Sequence, residues 1–126
     1  MADNPQIAGL AQRWYTAWND QALERILALY AEDVEFSSPL VAQIGGAADG
    51  VLRSKAALAA YFEKALARST DLKFKPIAEC KGARGSTLIY ANHRGQIVAE
   101  SHDLDEAGLI ARANVAYAPL PKHMKV

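Results

Sequence analysis

Glu100 and His102 are the two side chains in this chain best suited to moving a proton. They stand two residues apart in residues 96–104, where polar and apolar residues alternate as in a strand, so both point to one face. A carboxyl raised by burial beside an imidazole makes a usable acid–base pair near neutral pH. Two plainer readings stay open: a hydrogen-bonded core carboxyl, or two groups that reach solvent at a mouth. Around them, Trp14, Trp18, Phe36, Tyr61, Phe62, Tyr90 and Tyr117 supply most of the aromatic content. As a set they could wall a site for a flat apolar ligand, with tyrosine hydroxyls as orienting donors, or simply pack a core.

Other reactive residue types are poorly placed for chemistry. Asp33 follows Glu32 at a helix end. His93 falls in a turn and is expected in solvent. Cys80 has no evident base partner and is expected to be a buried, inert thiol. Asp103 and Asp105 face away from Glu100 or lie near a turn. Arg112 and Asn114 share one face of the last strand, and parity points Ala113, Val115 and Tyr117 inward instead, which puts the arginine outside. No metal-ligand spacing, phosphate loop or nucleophile elbow is present, so no metal and no cofactor is expected.

The 126 residues are 51% hydrophobic, which suits one domain, residues 1–126, with a single core. Fourteen basic side chains balance fourteen acidic ones, so the basic stripe that nucleic acid requires is lacking. Lys122, His123 and Lys125 read as a solvated tail. One cysteine excludes an intrachain disulfide. No apolar run approaches the ~18 residues of a membrane span, and the first residues lack a secretory pattern. A soluble cytoplasmic protein is expected.

The elements that must position these groups follow from periodicity. Asn4-Pro5 starts a helix whose stripe is Ile7, Leu10, Ala11, Trp14, Ala17 and Trp18. Asn19-Asp20 breaks it and caps a second helix carrying Leu23, Ile26, Leu27 and Tyr30. Residues 34–37 alternate as a half-buried strand. Residues 39–50, with Gly45-Gly46 and Asp49-Gly50, read as a loop over a pocket mouth, with room for a short hairpin. Ser54 caps a third helix with Leu58, Tyr61, Phe62, Ala65 and Leu66 buried. The period then changes to 2. Strands are expected at 72–75, where Pro76 demands an edge or a bulge, and at 87–92, 96–104 and 109–117, with a hairpin turn at 92–95. Helices followed by an antiparallel meander make an α+β domain, and a sheet curled to cover three helices leaves a hollow where small ligands bind.

This order resembles the nuclear transport factor 2-like superfamily, in particular its SnoaL-like and ketosteroid isomerase-like members. The phrases that carry the resemblance are Trp14…Trp18-Asn19, residues 28–34, Ser38-Pro39, residues 55–58 with Tyr61-Phe62, and residues 105–110. The resemblance implies a cone of three N-terminal helices packed on a curved antiparallel sheet around one small-molecule pocket. By position, the isomerases' tyrosine becomes Trp14 and their base becomes Ser38, and only the third site keeps a carboxyl, Glu100. Steroid isomerase chemistry is therefore not expected. The epoxide hydrolases of the superfamily use two Asp and an Arg in the same hollow, and an outward Arg112 does not supply that set.

What the resemblance implies, set beside the residues, is a cofactor-independent isomerase, cyclase or hydrolase-type enzyme on a small apolar carbonyl or polyketide-like compound. Glu100 and His102 would be catalytic, and Trp14, Trp18, Ser38, Tyr61, Tyr90 and Tyr117 would bind substrate. A non-catalytic ligand-binding or oligomerisation module is the alternative. Pairing as a homodimer through the outer sheet face, with Ile97, Ala99 and Ser101, follows family habit.

Overall fold

The computed structural model describes residues 7–44 and 46–119. Helix α1, Leu10–Asn19, buries Leu10, Trp14, Ala17 and Trp18 along one stripe. It starts after Gly9, whose φ of 76° is the left-handed conformation glycine takes without strain. The expected Asn4-Pro5 cap and the basic tail at 122–125 lie outside the described residues. Helix α2, Leu23–Leu27, is one short turn and a half.

Strand β1, Tyr30–Ser37, begins four residues before the expected Val34. Tyr30 satisfies the helical spacing of α2, yet the chain leaves helix at Ala28, and Ile110 donates its amide to the Leu29 carbonyl at 2.8 Å. Pairing with a distant strand decided what local periodicity left ambiguous. Residues 39–44, expected as loop, form helix α3, Pro39–Ile44. Pro39 occupies a first helical position, where its missing amide costs nothing, and Ser38 caps it: its Oγ accepts from Leu40 N at 3.3 Å and its carbonyl from Val41 N at 3.0 Å. The described residues thus hold four helices rather than three. Strand β2, Val51–Leu52, then closes a small hairpin onto β1. Helix α4, Lys55–Arg68, is capped by Ser54, which accepts from Ala57 N at 3.1 Å, and buries Leu58, Tyr61 and Phe62.

Strand β3 is Lys75–Lys81, three residues later than expected. Residues 72–74 are instead held by Asn19, whose Oδ1 accepts from Phe74 N at 2.8 Å and whose Nδ2 donates to Phe74 O at 3.0 Å. This side chain replaces a ladder and turns Leu72 and Phe74 inward. Pro76 sits on the sheet's edge strand beside a register shift, as its missing donor requires. Cys80 is exposed, not buried, because the edge strand carries no covering element on either face. Strands β4, Gly85–Ala91, β5, Ile97–Leu104, and β6, Ile110–Tyr117, follow.

The six strands form one curved, unclosed sheet in the order β2-β1-β6-β5-β4-β3. The β3 to β6 run is the expected antiparallel meander. The β1–β6 pair is parallel, so the sheet is not antiparallel throughout. The two-residue period of β4, β5 and β6 sorts their faces. Ser86, Leu88, Tyr90, Val98, Glu100, His102, Ala113 and Val115 are buried, and Arg112 and Asn114 lie outside, where Arg112 pairs with Glu35 at 3.3 Å. Among the described residues, no helix is long and apolar enough to cross a membrane.

Candidate active site

Strand β5 presents Glu100 and His102 to the inner face, and β4 sets Leu88 opposite Glu100 and Ser86 opposite His102. Gly85 permits this close approach, since a Cβ there would overlap the His102 carbonyl oxygen. The Glu100 carboxyl is 4% exposed and bonded at both oxygens. Tyr90 Oη donates to Oε1 at 2.9 Å, and His102 Nε2 lies 2.8 Å from Oε2. His102 is 1% exposed, and its Nδ1 has no partner among the described residues. Each carboxyl oxygen has two lone-pair sites, so each keeps one after these bonds.

A cavity of about 550 Å³ opens between the helices and the sheet. Trp14, Trp18, Tyr61, Tyr90, Tyr117 and Glu100 all line it. Glu100 is the only acid among the described residues that do so. His102 and Ser38 do not line it. His102 lies beneath Glu100, with Trp14 at 5.5 Å and Tyr30 at 6.4 Å between ring centroids. Ser38 lies behind Tyr61 and Tyr117, whose pKa values its hydroxyl lowers in part, and its Oγ also serves the α3 amide.

Trp14 Nε1 donates to Tyr30 Oη at 3.1 Å, so the indole is spent on the core and offers the cavity its ring. That ring packs against Phe74, stacked at 5.6 Å, and against Tyr90 at 5.4 Å. Burial, then the charge of Glu100, pushes the Tyr90 and Tyr30 phenols well above their usual pKa. Burial pushes Tyr61 up to about 12, partly offset by Ser38, and raises Tyr117 in the same way. Near neutral pH these phenols are protonated hydrogen-bond donors. No three His, Cys, Asp or Glu side chains converge on a metal-sized site among the described residues.

Sequence reading missed the mouth. His93, expected in solvent, is half-buried on the cavity rim, with Nε2 at 3.8 Å from Asp71 Oδ1. Asn92, Arg94 and Gln96 also line the cavity. Strand parity could have found two of them, because Asn92 follows Tyr90 by two residues and Gln96 precedes Val98 by two.

A family model described as a SnoaL-like domain matches residues 11–105. The chain is similar to the crystal structure of a SnoaL-like protein of unknown function from Burkholderia thailandensis, at 31% identity and a TM-score of 0.87, covering 93% of this chain and 98% of that one. Its fold is shared with Bal32a from a soil-derived mobile gene cassette (18% identity, TM-score 0.75, 91% of each chain). It is also shared with an NTF2-like protein of unknown function from Cytophaga hutchinsonii (18%, TM-score 0.67, 94% and 96%). No curated protein matches the sequence.

Proposed function

Because this chain belongs to the SnoaL-like family, we propose that its cavity takes a small, largely apolar carbonyl or polyketide-like compound and that Glu100 exchanges a proton with it. The observation that carries this reading is a single buried carboxyl on an otherwise mainly apolar and aromatic wall, held at both oxygens yet open to the cavity. Tyr90 fixes the carboxyl's orientation. His102 is a positioning residue: its Nε2–H bonds Oε2 and aims the free lone pairs of the carboxyl at the cavity. Tyr61, a protonated phenol on the same wall, is the donor for developing oxygen charge. No cofactor is part of this scheme.

A non-catalytic binding module is the second reading, and one observation favours it: the Trp14 indole is committed to Tyr30 and Ser38 to a helix cap, so neither supplies the isomerase groups. Hydrogen–deuterium exchange at the α-carbon of simple aryl ketones, followed by NMR, separates the two. Wild-type protein should accelerate exchange, and Glu100→Gln should lose about a hundredfold or more of that acceleration. Equal rates for the two proteins would end the proton role and leave the binding module. Cytoplasmic residence and pairing of two copies through the outer sheet face belong to the same reading. Exposed Ile97 supports the pairing, and a monomer in sedimentation at micromolar concentration would refute it.

A further inference from the structure

The cavity has a charge gradient along its length. Its inner end holds Glu100 and its rim holds His93 and Arg94, on the turn between β4 and β5. The turn is well built. Asn92 Oδ1 accepts from Arg94 N and from Gln96 N, both at 3.0 Å, and Gly95 takes a φ of 78°. Asp71 lies near His93 and offsets its charge when the imidazole is protonated. Arg94 forms no ion pair among the described residues. A cation without an ion pair among the described residues therefore stands at the mouth, while Tyr90 and Glu100 lie on the two adjacent strands and Asn92 and Gln96 on the turn that joins them.

We infer that the ligand of this site is an amphipathic organic anion, such as a carboxylate, whose acidic group rests against Arg94 at the rim and whose apolar body reaches Glu100. This deepens the functional reading above and rests on it. The orientation is one-way, because an anion at the inner end would meet the Glu100 carboxylate in a buried setting where like charges repel strongly. The acidic group and the atom that meets Glu100 are thus at opposite ends of the ligand. Between them the wall is Trp14, Phe74, Val98 and Val115, which suits a hydrocarbon or aromatic body.

The experiment uses 6-phenylhexanoate and its uncharged amide, titrated against the full chain. Trp14 and Trp18 are its only two tryptophans and both line the cavity, so quenching of their fluorescence reports binding. The acid should bind roughly fivefold or more tightly than the amide, an effect of the size expected for a partly exposed charged hydrogen bond. Arg94→Gln should remove that preference and leave the amide's affinity unchanged, and added salt should erode only the acid's advantage. Acid and amide binding equally to wild type, or losing affinity equally in Arg94→Gln, would overturn the anion while the pocket stands. Absence of quenching by both would overturn the pocket as well.

Discussion

His102 meets the cavity only through Glu100: its Nε2 lies 2.8 Å from the carboxyl Oε2, and its ring is sealed beneath that carboxyl by Trp14 and Tyr30. A buried carboxylate with one oxygen unpaired would carry the full cost of its lost hydration. The imidazole and the Tyr90 hydroxyl together remove that cost, and they also fix where the free lone pairs point. The same contacts therefore serve stability and the proposed proton transfer, and substitution tests both.

His102→Leu leaves Oε2 of a buried carboxyl without its partner and should cost about 1–3 kcal/mol in urea unfolding. His102→Gln retains an N–H donor and should recover much of that loss. Because His102 acts through the position of the Glu100 carboxyl, the ketone exchange rate should fall in His102→Leu and return with stability in His102→Gln. A wild-type exchange rate in His102→Leu would show that this bond does not position the carboxyl.

Asn19 joins α1 to the segment that carries Leu72 and Phe74 into the wall. Asn19→Ala removes both bonds to the Phe74 backbone and should cost about 1–2 kcal/mol. Amide hydrogen exchange should accelerate around residues 72–75, and apolar ligands should bind more weakly, because Phe74 no longer stacks firmly on Trp14. Unchanged protection at Phe74 would show that packing alone holds the segment.

All five tyrosines of the chain have raised pKa values, with burial the first cause in each, and Tyr15 and Tyr61 reach about 12. In the unfolded chain they ionise near the ordinary value of 10.0. Between these values the unfolded state binds fewer protons than the native state, so stability is intact below about pH 10 and falls as pH rises toward 12. Phenolate absorbance should therefore appear together with loss of far-ultraviolet circular dichroism. Phenolate absorbance rising fully at pH 10 with the fold intact would contradict the burial of these hydroxyls.

The local alphabet determined a good deal. Helical spacing in α1 and α4, the cap at Ser54, the hairpin turn after Tyr90, the edge or bulge demanded by Pro76, the shared face of Glu100 and His102 and the inward parity of Ala113 and Val115 were all legible, because each depends on neighbours within a few residues. Three features depended on distant partners and were not legible. Tyr30 became strand because β6 pairs with it in parallel, Phe74 left its expected strand because Asn19 claims its backbone, and Cys80 is exposed because the edge strand is uncovered. The site divides in the same way. Alternation alone puts Glu100 and His102 on one face, but only packing of α1 and the sheet around them places the carboxyl in the cavity wall, the imidazole behind it and Arg94 at the mouth. Depth within a fold is set by what covers a residue, and that covering comes from elsewhere in the chain.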